Sequence, residues 1–129
     1  MITENYVSFE VAKLLKKAGF EEECVTNYYD SGGNFVETGY KFNYNFQTID
    51  HSAPTHQMAV AWLRQKYDIS IEVSVLKYNC WVYTIYKIFS NKVEELYNDG
   101  EFKSYEDAIE AALKYVLENL ITFKINEAS

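Results

Sequence analysis

Two histidines, His51 and His56, flank the single proline, Pro54, and Asp50 stands beside the first. A metal centre needs three or four ligands converging at about 2.0–2.3 Å. A spacing of five across a proline loop matches no ligand motif, even with Cys24 or Cys80 brought in to complete the set, so no metal site is expected. Both histidines read as solvated, one in a loop and one in a first helical turn. A cysteine–histidine nucleophile needs an exposed thiol of low pKa beside an imidazole. Cys24 and Cys80 instead sit in apolar and aromatic runs, which read as buried free thiols. Gly32-Gly33 lies in a turn and opens no helix, so it cradles no phosphate. No Gly-x-Ser-x-Gly elbow occurs. The carboxylate pairs Glu94-Glu95, Asp99/Glu101 and Glu106/Asp107 lie in polar stretches where nothing would desolvate them. The sequence therefore predicts no catalytic residue, no cofactor and no metal.

The excess that invites a function is aromatic. Twelve tyrosines stand among 129 residues, and Tyr28, Tyr29, Tyr40, Tyr44, Tyr83 and Tyr86 all fall in predicted strands. A sheet buries only one aromatic face per helix layer, so rings left outside would anchor a protein interface. The competing reading is that these rings complete a wide core.

Composition narrows the classes. Hydrophobic residues make up 48%, enough for a packed core without a metal or disulfide staple. The formal net charge is −7 with 12 basic residues, and no basic run exceeds Lys16-Lys17. Direct nucleic-acid binding needs a concentrated basic face and is not expected. No apolar run approaches the roughly 20 residues of a membrane span. The first residues carry neither a basic nor an apolar leader pattern, so a cytoplasmic protein without membrane contact is expected.

The elements follow from spacing. Ser8 caps a helix whose stripe is Val11, Ala12, Leu14, Leu15 and Ala18, and Gly19 with Phe20 predicts a Schellman stop. A strand over Cys24–Tyr29, a turn at 30–34 and a strand with Tyr40, Phe42, Tyr44 and Phe46 on one face form a first hairpin, Gly39 being a bulge candidate. Pro54 opens a second helix over about Thr55–Tyr67, packing through Met58, Ala59, Trp62 and Leu63. Ile69, Ile71, Val73 and Val75 then alternate with Ser70, Glu72 and Ser74, and the run Trp81–Phe89 is apolar on both faces, which predicts a second hairpin with a central strand. Its turn near Lys77–Cys80 leaves two face assignments open. Either Trp81, Tyr83 and Ile85, or Val82, Thr84 and Tyr86, lie with Ile71 and Val73. Residues 90–103 read as polar loop with a short helix near Val93–Tyr97 and a turn at Asn98-Asp99-Gly100. Ser104 caps the longest helix, with Tyr105, Ile109, Ala112, Val116 and Leu120 as its stripe and Glu110–Lys114 as a favourable pair. The expected fold is a single α+β domain over 1–129, in the order α-β-β-α-β-β-α. One antiparallel sheet of about four strands carries helices mainly on one face. A faint echo between Val11–Lys16 and Ala59–Arg64 suggests two α-β-β halves sharing that sheet.

Ala53-Pro54-Thr55, Ala59 and Trp62-Leu63-Arg64, with the opening helix Ser8–Lys16, the aromatic run Trp81–Ile88 and the closing helix Tyr105–Ile121, resemble the pattern of small uncharacterised proteins encoded by phages and integrated elements of Bacteroides-like gut bacteria. The resemblance implies an accessory protein of a mobile element and carries over no catalytic residue. The expected function is a non-enzymatic protein-binding or assembly module, its partner an unidentified protein or a second copy of itself paired through the aromatic strands. An acidic decoy for a nucleic-acid-binding surface is the alternative drawn from the charge. A small metal- or thiol-dependent enzyme is the third.

Overall fold

The computed structural model describes residues 5–29, 33–46 and 50–121. In chain order these form α1 (Phe9–Lys17), β1 (Cys24–Tyr29), β2 (Asn34–Phe42), a 3-10 turn (Tyr44–Phe46), β3 (Asp50–Ser52), α2 (His56–Tyr67), β4 (Ile69–Lys77), β5 (Cys80–Ile88), β6 (Val93–Phe102), α3 (Tyr105–Tyr115) and a π-helical segment (Val116–Ile121). The fold is α+β. Its strands form two antiparallel three-stranded sheets, β2-β1-β3 and β4-β5-β6, in place of one sheet of about four. The chain groups into two compact units, Met1–Thr55 with Lys114–Ser129, and His56–Leu113.

In the first unit, Ser8 Oγ accepts from Val11 N, and Gly19 at φ 91° closes the helix. Phe20 N donates to Leu15 O and Gly19 N to Lys16 O, the two bonds of a Schellman motif. Val11, Ala12, Leu15 and Phe20 are buried. Thr26 Oγ1 donates to Ala53 O, and Ala53 N donates back to Thr26 O, which ties β1 to the residues after β3. Asn45 replaces a missing strand partner on the far edge of β3: its Oδ1 accepts from Ser52 N at 2.8 Å, while its Nδ2 donates to Phe20 O. The predicted aromatic strand stops early. β2 ends at Phe42, and Tyr44 turns inward from the 3-10 turn while Tyr40 and Phe46 stay exposed. Gly39, at φ 80°, lies where the β1–β2 register shifts, as a bulge residue does. The turn predicted at 30–34 falls mostly outside the described residues, although Gly33 has φ 67°.

In the second unit, Asp68, at φ 55°, ends α2 and leads directly into β4. β4 and β5 pair Ile71 with Ile85, Val73 with Tyr83 and Val75 with Trp81, so the first of the two face assignments holds. It is reached by a two-residue turn plus a bulge: Lys77 pairs with Cys80, and Leu76 is the extra residue. Asn79 takes the positive φ that the turn needs. Ile69, Ile71, Tyr83 and Ile85 are buried with Ala59, Trp62 and Leu63 of α2 and Ala108, Ile109, Ala112 and Leu113 of α3.

Two predicted loops are strands. Asp50–Ser52 is β3, and Val93–Phe102 is β6, where a loop, a short helix and a turn at Asn98–Gly100 were expected. β6 is an edge strand exposed on both faces over Val93–Asp99, so it has no reason to alternate. Each half therefore reads α-β-β-β. The strand orders differ, with β1 central in one sheet and β5 in the other, and the halves do not share a sheet. Ser104 Oγ caps α3 by accepting from Asp107 N at 3.0 Å. Lys114 reaches Glu10 at 2.9 Å, not the predicted Glu110.

The Leu76 bulge yields a prediction. Deleting Leu76 leaves Val75 opposite Trp81 and should keep cooperative urea unfolding within roughly 1 kcal/mol of the parent, the scale of a surface change. Deleting Thr84 exchanges the faces of half of β5 and should abolish the cooperative transition by circular dichroism.

Candidate functional site

Chemistry-bearing side chains gather in three places. The first is the edge of the first unit. Lys16 Nζ donates to the Asp50 carbonyl at 2.6 Å, and the His51 ring meets Phe9 edge-on at 5.4 Å. Lys13 Nζ lies over the Phe9 ring, 4.7 Å from its centroid. His51 is thus a strand residue packed under α1, not a solvated loop residue. Desolvation, reinforced by Lys16 and Lys13 and opposed by Asp50, pulls its pKa below the usual 6.5. Its Nδ1 and the neighbouring Ser52 Oγ are buried without a hydrogen-bond partner. Burial likewise lowers the Lys16 pKa, against the pull of Asp50.

The second is a histidine–carboxylate pair in the second unit. His56 Nε2 and Glu110 Oε1 are 2.9 Å apart, and His56 is buried where a solvated ring was predicted. The pair ties the first turn of α2 to α3. Acid–base catalysis would further require a substrate or nucleophile within reach of the ring. The two histidines lie in different units. Among the described residues no group of three or more His, Cys, Asp or Glu is placed to hold a metal ion.

The third is the β4-β5-β6 sheet. Its inner face carries Ile71, Tyr83 and Ile85, and Tyr83 stacks on Phe102 with centroids 5.6 Å apart. Its outer face carries Ser70, Glu72 and Ser74 from β4, Val82, Thr84 and Tyr86 from β5, and Asn98 and Gly100 from β6. Gly100 is needed there. A Cβ at that position would stand 2.6 Å from Val82 Cγ1, so glycine lets Val82 lie flat across the strand. Glu101, at φ 70°, and the register shift beside it bend the strand at this point. The result is an open groove of about 650 Å³ lined by Leu76, Cys80, Val82, Thr84, Asn98 and Asp99 among others. At the turn end Leu76 and Tyr78 are 68% and 91% exposed, Val75 on the inner face is 55% exposed, and along β6 Val93, Leu96 and Tyr97 are exposed as well.

The six tyrosines do not form one patch. Tyr83 is 2% exposed and belongs to the core of the second unit. Tyr44 is buried in the first unit, its hydroxyl bonded to Thr38 and to the Tyr40 carbonyl. Tyr28 is half-buried and donates to Val7 O at 2.7 Å. Tyr29 ends β1, and its side chain lies outside the described residues. Tyr40 is 78% exposed, and Tyr86 is half-buried on the outer face of the second sheet. The other exposed apolar residues of the second sheet are largely aliphatic: Val75 and Leu76 at the β4–β5 turn end, and Val93 and Leu96 on β6. Sequence reading missed them because aromatic content was the louder signal, and because β6 was not recognised as a strand.

A scan against protein-family models finds no match, and neither the curated proteins nor the solved structures yield one. No described helix is long and apolar enough to cross a membrane.

Two predictions follow from the burial of these groups. Desolvation, with a further push from Glu22, raises the Cys24 thiol to about 12, so a maleimide should label half-buried Cys80 and spare Cys24 until urea unfolds the chain, as read by peptide mass spectrometry. Because the folded pKa of His51 lies below its unfolded value, the unfolded chain binds the proton more readily. Stability is then complete above about pH 6.5 and falls as the pH drops toward the folded pKa. Replacing His51 by Gln should flatten that part of the stability profile between pH 7 and 5.

Proposed function

We propose that this protein is a non-enzymatic protein-binding module whose docking platform is the β4-β5-β6 sheet. One observation carries the reading: β6 is an edge strand exposed without interruption from Val93 to Asp99, and exposed Val75, Leu76 and Tyr78 stand at the β4–β5 turn end of the same sheet. Main-chain donors and acceptors on a free edge give a partner strand its affinity, and the neighbouring apolar side chains give it selectivity. Among the described residues, neither the histidine pair nor the His51 edge has a nucleophile or a third converging group placed beside it. The mobile-element origin implied by the sequence resemblance suits an accessory protein that acts by binding.

An acidic decoy uses the same strand differently. Glu94, Glu95, Asp99 and Glu101 stand on β6, which has no basic residue between Val93 and Phe102. Such binding to a basic surface would collapse as salt rises from about 0.05 to 0.5 M, because the Debye length shrinks below the charge separation.

The test is site-specific photocrosslinking. A photoreactive side chain at Leu76 or Leu96 should give discrete adducts in cells, and one at Lys17 on α1 should not. A Tyr78→Asp change should reduce the Leu76 adducts without moving the Tm by more than about 2 °C, in keeping with a surface substitution. Equal labelling at all three positions would sink the proposal.

A further inference from the structure

The two edges of the second sheet are built differently, and the difference identifies a partner for one of them. β6 bears four carboxylates and two register shifts against β5. Charge and bulges are the devices by which an edge refuses to pair with its own kind. β4 has neither over most of its length. From Ile69 to Val75 its register is uninterrupted, it contains no proline or glycine, and its charges are Glu72 and Lys77 alone. Among the described strands it pairs only with β5.

A two-fold pairing of β4 with a second β4 is constrained by geometry. Directly opposed residues of an antiparallel pair share a face, so the two residue numbers must sum to an even value. A sum of 144 sets Glu72 against its own copy. A sum of 146 centres the pair on Val73 and overlaps all nine residues, Ile69–Lys77. It sets Ile71 against Val75, Glu72 against Ser74 and Lys77 against Ile69, with no like charges opposed. Val75 belongs to the inner face yet is 55% exposed, because its own unit leaves it uncovered. In this register Ile71 of the second copy would lie beside it. On β6 the two even sums of greatest overlap, 194 and 196, oppose Glu95 to Asp99 or Glu95 to Glu101 twice, and either places eight carboxylates along one seam.

We infer that β4 is a homodimerisation edge: two copies join antiparallel about Val73 into one six-stranded sheet, β6-β5-β4-β4-β5-β6, with each β6 left at an outer rim. This rests on the reading of the sheet as a docking platform and adds the identity of one occupant. The symmetry is isologous, so each side-chain pair occurs twice.

Glu72 and Ser74 are both exposed on the outer face, which makes them safe handles for a charge swap. Sedimentation of the parent should show a concentration-dependent monomer–dimer equilibrium. Ser74→Glu sets two carboxylate pairs across the axis and should weaken association about tenfold, the scale of two like-charge cross-strand pairs. Adding Glu72→Lys converts both pairs to attractive ones and should restore or exceed parental association. Thermal melts at low protein concentration check that neither variant unfolds. A parent that stays monomeric at 200 µM (roughly the limit for a weak specific interface), or a dimer indifferent to both changes, would overturn the inference. A monomer that still forms Leu96 adducts would overturn only the β4 pairing and leave the docking platform standing. A monomer without adducts would remove both.

Discussion

The second unit depends on which face of β5 turns inward. Its residues are β-branched or aromatic at nearly every position, so hydrophobicity alone barely distinguishes the faces. Moving Tyr83 and Ile85 out would move Val82, Thr84 and Tyr86 in, and only Thr84 is a poor exchange. The tie is broken across the strand. Tyr97 and Phe102 of β6 meet Tyr83 from the inner side, at 6.2 and 5.6 Å between centroids, while Asn98 and Gly100 lie on the outer side. Burying the Tyr83 ring contributes on the order of 2 kcal/mol, enough to hold one register against the other. The Leu76 bulge is the consequence: it absorbs the one residue by which the turn would otherwise misalign β4. A strand that carries no alternation of its own thus decides the alternation of its neighbour.

That dependence explains what was legible in the chain and what was not. α1 and α3 announced themselves because their signals are local: Ser8 and Ser104 as caps, Gly19 and Phe20 as a stop, apolar residues every three or four positions. β4 alternates because one of its faces is buried and the other wet. β6 is wet on both faces, and β3 is three residues long and held by Asn45 and Lys16 from outside the sheet, so neither leaves a period to read. Missing both strands turned two sheets into one. The candidate surface suffered in the same way. Tyr83 and Tyr44 were drawn into cores by partners far along the chain, and the exposed aliphatic residues of β6 were invisible until β6 was a strand.

The histidines show the same lesson in polar chemistry. His56 looked solvated because it opens a helix, but α3 returns 54 residues later and places Glu110 against it. His51 looked like a loop residue because the sequence around it is polar. Burial beneath Phe9, beside two lysines, instead favours its neutral form. In each case the element that sets the protonation environment is remote in sequence.

A three-stranded sheet with one helix-covered face usually keeps its outer face polar. This one is mixed. Ser70, Glu72, Ser74, Thr84 and Asn98 share it with Leu76, Val82 and Tyr86, and Gly100 lets Val82 lie close. Glycine inside a strand costs about 0.5–1 kcal/mol relative to alanine, and here it serves the wet side of the sheet and not the core. Core packing gives no reason for that arrangement, and the proposed docking surface supplies one. On the proposed reading the acidic, twice-shifted β6 is closed to copies of itself, and the nearly neutral β4, regular from Ile69 to Val75, has the evenness that self-pairing requires.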